Sequence, residues 1–208
     1  MIKKSLPFHI KETWFDNYGC FTAIHGEWEG EEVILLNVYA PPGLQAETLH
    51  RVGELLVNTP KALTILGGDF NLVLDTQIDR ASTKPEGVAT LGKLEGFTQA
   101  LGLGDIWRDL HKNKKALSYY SGAHDMHSRL DYMFTTRDGL CRFTEASYLA
   151  RGISDHSPLI VTMQGGRTRE RGEWIMATWR LANRKEVERL DKATEHYFRE
   201  NMRMVASV

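Results

Sequence analysis

The sequence predicts a layered α/β fold in which two β-sheets are flanked by helices. Segments with strand character alternate with segments of helical periodicity over the first half of the chain, then give way to hairpins. That alternation suits mixed layers. The runs EVILLNVYA, ALTIL and LIVTM are short, aliphatic and rich in β-branched residues, as strands buried on both faces are. Carboxylate or imidazole side chains follow or precede such runs directly, and strand ends are where layered α/β proteins build their sites.

In chain order, residues 20–28 and 32–40 read as a hairpin across the turn Glu29-Gly30-Glu31. Pro41 has no N–H for a ladder, so the second strand ends near Tyr39. Residues 44–57 place Leu44, Leu49, Val52, Leu55 and Leu56 on one side of a helix that Pro60 closes. The strand at 62–66 is expected to break at Gly67-Gly68, and the polar stretch 75–87 is expected to be a loop. Leu91, Leu94, Phe97 and Leu101 fit a second amphipathic helix. Residues 118–134 read as two strands around a polar loop at 122–127, and residues 159–163 as a last buried strand. Gly165-Gly166 marks a domain edge, giving one domain over 1–165. Beyond it, residues 166–208 read as a linker and an amphipathic helix, with Asn183 as cap, Glu186 as its capping-box partner, and Val187, Leu190, Ala193 and Tyr197 on one face.

Hydrophobic residues make up 42% of the 208 and charged ones 25%, which sets aside disordered, collagen-like and coiled-coil classes. The net charge of −1 excludes nucleic-acid binding through bulk positive charge but leaves room for a local basic groove. Lys and Arg outnumber Asp and Glu between Arg108 and Arg151, enough for a few phosphate contacts. Two cysteines, Cys20 and Cys141, cannot build a disulfide framework. No apolar run approaches the roughly 20 residues a membrane helix needs. These features lead us to expect an intracellular, reducing setting with no membrane partner.

Three segments carry chemistry. In Gly67-Gly68-Asp69-Phe70-Asn71 the glycines permit a tight turn, and Asp69 and Asn71 share a side if the segment is extended. Such a pair suits a metal-bound water or a phosphate oxygen, and equally a turn with Asx hydrogen bonds. In Ser154-Asp155-His156-Ser157-Pro158 a carboxylate and an imidazole precede a buried strand. They suit metal ligation or acid–base work, or simply a polar turn stopped by Pro158. In Ser128-Arg129-Leu130-Asp131-Tyr132 the inward Asp131 needs a partner. That partner is a histidine, Arg129 or a surface lysine. Tyr39, at the end of its strand, belongs to the β core or reaches a phosphate.

Together NVYAP, GGDFN, SRLDY and SDHSP resemble the endonuclease/exonuclease/phosphatase family, which includes exonuclease III-type apurinic endonucleases. The order and strand context agree from about residue 20 to 163. LSYYSGAHDMHSRLDYMF, preceded by Asp105-Ile106-Trp107-Arg108, resembles more narrowly the endonuclease domain of non-LTR, LINE-type retrotransposons, and Trp179-Arg180-Leu181-Ala182-Asn183 is similar to the stretch before their reverse transcriptase. The resemblance implies metal-dependent hydrolysis of double-stranded DNA with Mg²⁺ or Mn²⁺, a reverse transcriptase domain as neighbour, and a nuclear or cytoplasmic setting. It implies Asp69 as orienter or base for the attacking water, Asn71 on phosphate or the metal shell, and Asp155 in the metal environment. His156, oriented by Asp131, would stabilise the scissile phosphate. Tyr39 and Ser118 would contact phosphate, Asn37 would support the site, and Arg129 would contribute to substrate binding. His124 and His127 would approach the minor groove.

In that family a strand bearing a catalytic Asn and another ending in Gln-Glu precede the hairpin, and both elements are expected to be missing here. Glu12, in Lys11-Glu12-Thr13-Trp14, has no apolar strand before it and stands too close to Tyr39 to replace that Glu. It is expected to be an exposed polar residue. The competing readings are a phosphatase or lipid phosphodiesterase on the same fold, and a non-catalytic nucleic-acid-binding or interaction fragment.

Overall fold

The computed structural model describes residues 2–81, 92–122, 126–152, 154–164 and 192. All of these except Lys192 belong to one compact unit, Met1–Trp174. The linker and helix expected at 166–208, apart from Lys192, the loop residues 82–87 and Leu91 lie outside the described residues.

Six strands form the central sheet: β1 (Phe8–Phe15), β2 (Phe21–Trp28), β3 (Glu31–Tyr39), β4 (Leu63–Asp69), β6 (Leu103–Asp105) and β9 (Asp131–Thr136), in the order β1-β2-β3-β4-β9-β6. The β2–β3 hairpin is the one expected from the sequence, and β4 lies parallel to β3. A parallel pair needs a crossover connection, and helix α1 (Gln45–Asn58) supplies it. The outer strand β1 is not apparent in the sequence. Five consecutive residues of it are exposed and its register shifts between Ile10 and Glu12, so it is held by its backbone ladder to β2 more than by burial. Glu12 lies exposed on β1 with His25 as its register partner.

β4 also differs from expectation. It does not break at Gly67-Gly68 but runs through both glycines to Asp69. Gly68 has φ of 144°, and a Cβ there would stand 1.9 Å from the Val38 carbonyl oxygen. Glycine keeps this part of β4 in the sheet, where a side chain would collide with β3. The expected second strand of 118–134 is likewise two strands. β8 (Met126–Ser128) pairs with β7 (Tyr119–Ser121) and with β5 (Arg80–Ala81) in a small sheet, while β9 belongs to the central one.

The layers follow from which side each strand residue faces. Leu36 and Val38 of β3, Leu66 of β4 and Phe134 of β9 pack toward α1 and helix α2 (Lys93–Ala100) with Leu49, Val52 and Leu94. On the other face β10 (Phe143–Tyr148) and β11 (Leu159–Met163) form a two-stranded sheet. It packs with Ile65, Met133 and helix α3 (Ile106–Leu110), and Met163 reaches the cluster of Trp28, Val33 and Leu63. This unit is thus helices, a mixed sheet and a second sheet, the expected α/β layering. Among the described residues no helix is long and apolar enough to cross a membrane.

Candidate active site

Sheet register assembles the site. Tyr39 of β3 pairs with Asp69 of β4, and Asp69 pairs with Asp131 of β9. Cross-strand partners point to the same face, so the three side chains form one row where β3 and β4 end and β9 begins. β4 and β9 are antiparallel, which brings the two aspartates to one edge although 62 positions separate their numbers. His156 joins from the segment before β11. Its backbone bridges Tyr119, and its Nδ1 lies 2.8 Å from Asp131 Oδ2. A carboxylate accepts only, so the imidazole Nδ1–H donates.

Among the described residues Asp69, Asp131 and His156 are the one group of three such side chains whose ligand atoms all lie within 4.8 Å of one another. The histidine, rather than Arg129 or a lysine, is therefore the partner of Asp131. Each of the three is partly buried. Burial pushes the Asp69 carboxyl above its ordinary range, and the nearby Asp131 adds to this, while N–H groups of Asn71 and the charge of His156 oppose it. The hydrogen bond to Asp131 holds the His156 imidazole above its usual pKa, against the opposing effect of burial. The arrangement sets a carboxylate of enhanced basicity beside an imidazole whose Nδ1–H is held by Asp131 and whose pKa that bond raises.

Asn71 completes the strand end. Its φ of 47° is left-handed, a conformation Asn tolerates better than most residues. Its backbone N–H donates to Asp69 Oδ1 at 2.9 Å, and its side-chain amide donates to Asp69 Oδ2 and to the Ala40 carbonyl, each at 3.1 Å. The Asx turn and the site are one structure: the bonds that make the turn also aim Asp69. Tyr39 is 49% exposed beside it, and Asn37 is exposed one pleat back on the same face.

Other expected residues sit elsewhere. Asp155 is exposed, lies outside the carboxylate–imidazole group, and takes the Ser154 hydroxyl at 3.3 Å. Ser118 is fully buried and cannot touch substrate; its Oγ accepts the backbone N–H of Leu130 and of Asp131. Arg129 is also fully buried, because a guanidinium taken from water needs carboxylates around it. It grips Asp79 through Nε and Nη2 at 2.9 Å each and sets Nη1 2.6 Å from Asp105 Oδ2. Neither Ser118 nor Arg129 is a substrate contact in this geometry. His127 is half-buried on β8 with its ring 4.5 Å from that of Tyr120, and His124 lies outside the described residues.

Sequence reasoning missed Tyr119, whose ring stands 4.8 Å from the His156 ring. It also missed Asp79 and Asp105, which neutralise Arg129, and Tyr132, whose hydroxyl donates to the Arg129 carbonyl at 2.7 Å and accepts Leu74 N–H at 2.9 Å. The signal for the two aspartates was Arg129 itself, since a cation buried between strands calls for acidic partners.

Comparison with known proteins places this fold. An AP endonuclease from Archaeoglobus fulgidus superposes with a TM-score of 0.60 at 17% identity, covering 75% of this chain and 72% of that one. A 3′ phosphatase from Neisseria bound to product DNA hairpin gives 0.57 at 16%, over 76% and 72%. The endonuclease domain of TRAS1, a telomere-specific non-LTR retrotransposon, gives 0.54 at 19%, over 75% and 70%. Likenesses at such identity establish the fold. The sequence itself matches the model of one family over residues 1–156, well over half of its length, and on that match the chain belongs to the endonuclease/exonuclease/phosphatase family.

Proposed function

We propose that this chain hydrolyses phosphodiester bonds in DNA with a divalent metal ion, as a retrotransposon-type endonuclease domain. The observation that carries the proposal is the Asp69–Asp131–His156 group, with its ligand atoms within 4.8 Å of one another and His156 bonded to Asp131. Asp69, made more basic by burial, takes the proton of the attacking water. Asn71 fixes both oxygens of that carboxylate. Protonated His156, its Nδ1–H held by Asp131, presents the other ring nitrogen to a phosphate oxygen as charge develops there. Tyr39 offers its hydroxyl to the phosphate from the adjoining register position.

The donor set fits Mg²⁺, or Mn²⁺ in its place. Hard cations prefer oxygen and are bound by one or two carboxylates together with substrate phosphates. Asp69 supplies a carboxylate whose lone pairs exceed the two bonds from Asn71, and Asn71 supplies its amide oxygen. When bound, the ion would polarise the phosphoryl group and lower the pKa of water. His156, whose Nδ1–H is held by Asp131, would stay outside its ligand shell and face the phosphate.

The test is nicking of supercoiled plasmid by the 208-residue chain in MgCl₂. Asp69→Asn and His156→Ala should each reduce the rate by about a hundred-fold or more, the scale of a lost acid–base group, while the fold is retained by circular dichroism. A folded parent chain that binds DNA equally with and without EDTA and never nicks it would overturn this reading in favour of a binding module. The likeness to the Neisseria 3′ phosphatase favours one further reading, release of phosphate from a DNA 3′ end by the same group of residues. A 3′-phosphorylated hairpin, assayed in parallel for inorganic phosphate, separates the two activities.

A further inference from the structure

We propose that the dipeptide Ser118-Tyr119 is a positioning device for the Asp131–His156 pair. Ser118 ties together the backbone segments that carry the two residues, and Tyr119 backs the imidazole. The inference rests on reading that pair as catalytic.

Ser118 is a crossing point. Its Oγ accepts the N–H of Leu130 at 3.0 Å and of Asp131 at 3.1 Å. Its carbonyl accepts the N–H of Ser157, next to His156, at 2.6 Å. β9 needs such a residue at its start. On one side its ladder to β4 reaches Asp131, and Phe70 N–H donates to the Leu130 carbonyl at 2.9 Å. On the other side β6 pairs only from Phe134 to Thr136. The hydroxyl of Ser118 stands where a strand would otherwise take those amides, and buried N–H groups left without acceptors are costly.

Tyr119 continues the same logic one residue on. Its backbone makes the isolated antiparallel bridge to His156, and its ring lies 4.8 Å from the imidazole at 45°. Tyr120 N–H donates to the Asp155 carbonyl at 3.2 Å, so the short strand β7 grips both residues before Ser157. The imidazole is therefore held at Nδ1 by Asp131 and against one ring side by Tyr119. Asp131 is held in turn through its N–H by Ser118 and through its carbonyl, which accepts the Tyr148 hydroxyl at 2.7 Å. Ser118 is fully buried, so any effect of changing it on catalysis passes through the residues it holds.

The experiment reads the His156 Nδ1–H proton by NMR in the metal-free 208-residue chain labelled with ¹⁵N-histidine. The parent should show a downfield Nδ1–H resonance that Asp131→Asn removes, which assigns it. Ser118→Ala should remove or broaden it, and Ser118→Thr, which keeps the hydroxyl, should restore it. Tyr119→Ala should weaken it, and Tyr119→Phe should not. Leu49→Ala, in the core under α1, lowers the melting temperature without touching the pair and should leave the resonance in place. A resonance unchanged in Ser118→Ala, or lost equally in Leu49→Ala, would overturn the proposal. In the nicking assay Ser118→Ala should lower kcat about a hundred-fold, the cost of misplacing a catalytic group by about an ångström, with KM for DNA within about two-fold. A parent chain that shows the resonance but does not nick would sink the reading of function, while the NMR series would still decide the placement.

Discussion

His156 Nδ1–H donates to Asp131, and this bond has a thermodynamic signature apart from catalysis. The folded-state pKa lies above the ordinary value of 6.5, chiefly through that bond. A raised pKa means that folding binds the proton more tightly, so the stabilisation is fully present below about pH 6.5 and is lost as pH rises through the folded-state value. The melting temperature of the parent should therefore exceed that of Asp131→Asn most at pH 5.5 to 6, and the gap should shrink as His156 deprotonates. Thermal melts across that range, in chelator, check it, and a gap that widens with pH contradicts the pairing. At this scale the sequence was legible where a residue type has few uses. Asp69, Asn71, Asp131 and His156 were all singled out, and the structure brings them to one strand end. It was not legible where one residue type serves two roles. A serine or arginine in a polar motif looks the same whether it faces phosphate or, like Ser118 and Arg129, is sealed among backbone amides or carboxylates. Burial decides between these roles, and burial comes from packing by distant segments.

The site exists because β4 continues past the point where its sequence suggests a stop. Gly67-Gly68 is a turn signal by composition, yet here the pair keeps β4 beside β3 while Asp69 is carried into register with Tyr39 and Asp131. The two glycines should respond differently to alanine. At Gly68 the new Cβ would meet the Val38 carbonyl oxygen at 1.9 Å, and φ is 144°. Backbone must move there, so Gly68→Ala should cost more than about 3 kcal/mol or prevent folding, as strained φ and overpacking combine. At Gly67 the nearest atom is the Met133 side chain at 3.4 Å, which can shift, and the cost should be about 1 kcal/mol. Urea denaturation of both variants measures the contrast, and equal costs would mean that the β3–β4 spacing is not what requires glycine. Periodicity and aliphatic runs also located β2, β3, α1 and β11, although in β11 only Leu159 is buried. It passed over β1, where polar side chains interrupt the pattern and Ile10 and Phe15 remain half or more exposed. Nor could it foresee that residues 126–136 divide between two sheets, since the division depends on which neighbour each piece finds: β8 takes β5 and β7, and β9 takes β4 and β6.

On the scale of the whole, the described residues cover the two faces of the central sheet unequally. Helices α1 and α2 cover one face through a continuous apolar cluster. On the other, β10 and β11 reach Ile65, Met133 and the cluster around Trp28, Val33 and Leu63. Ile10 pairs with Gly26 and Gly26 with Val33, while Phe15 pairs with Thr22 and Thr22 with Asn37. Both side chains therefore project on the β10–β11 side, at 50% and 72% exposure, as Tyr39 does at 49%. An edge strand with apolar side chains in water is prone to association. These residues contribute little burial, so replacing them should relieve association at small cost. The double variant Ile10→Thr, Phe15→Thr should bind less of the dye ANS and elute as a smaller species at high protein concentration. Its unfolding free energy should stay within about 1 kcal/mol of the parent's, the range of surface substitutions away from packed features. Light scattering coupled to size exclusion, with urea denaturation beside it, makes the measurement. A loss of several kcal/mol would show that β1 is held by its side chains and not by its ladder to β2. Unchanged dye binding would place the exposed apolar surface elsewhere. Because the substituted residues stand on rows behind Asp69 and Asp131 in the sheet, a nicking rate that survives the double change would also show that the site draws its geometry from β3, β4 and β9 and not from the outer strand.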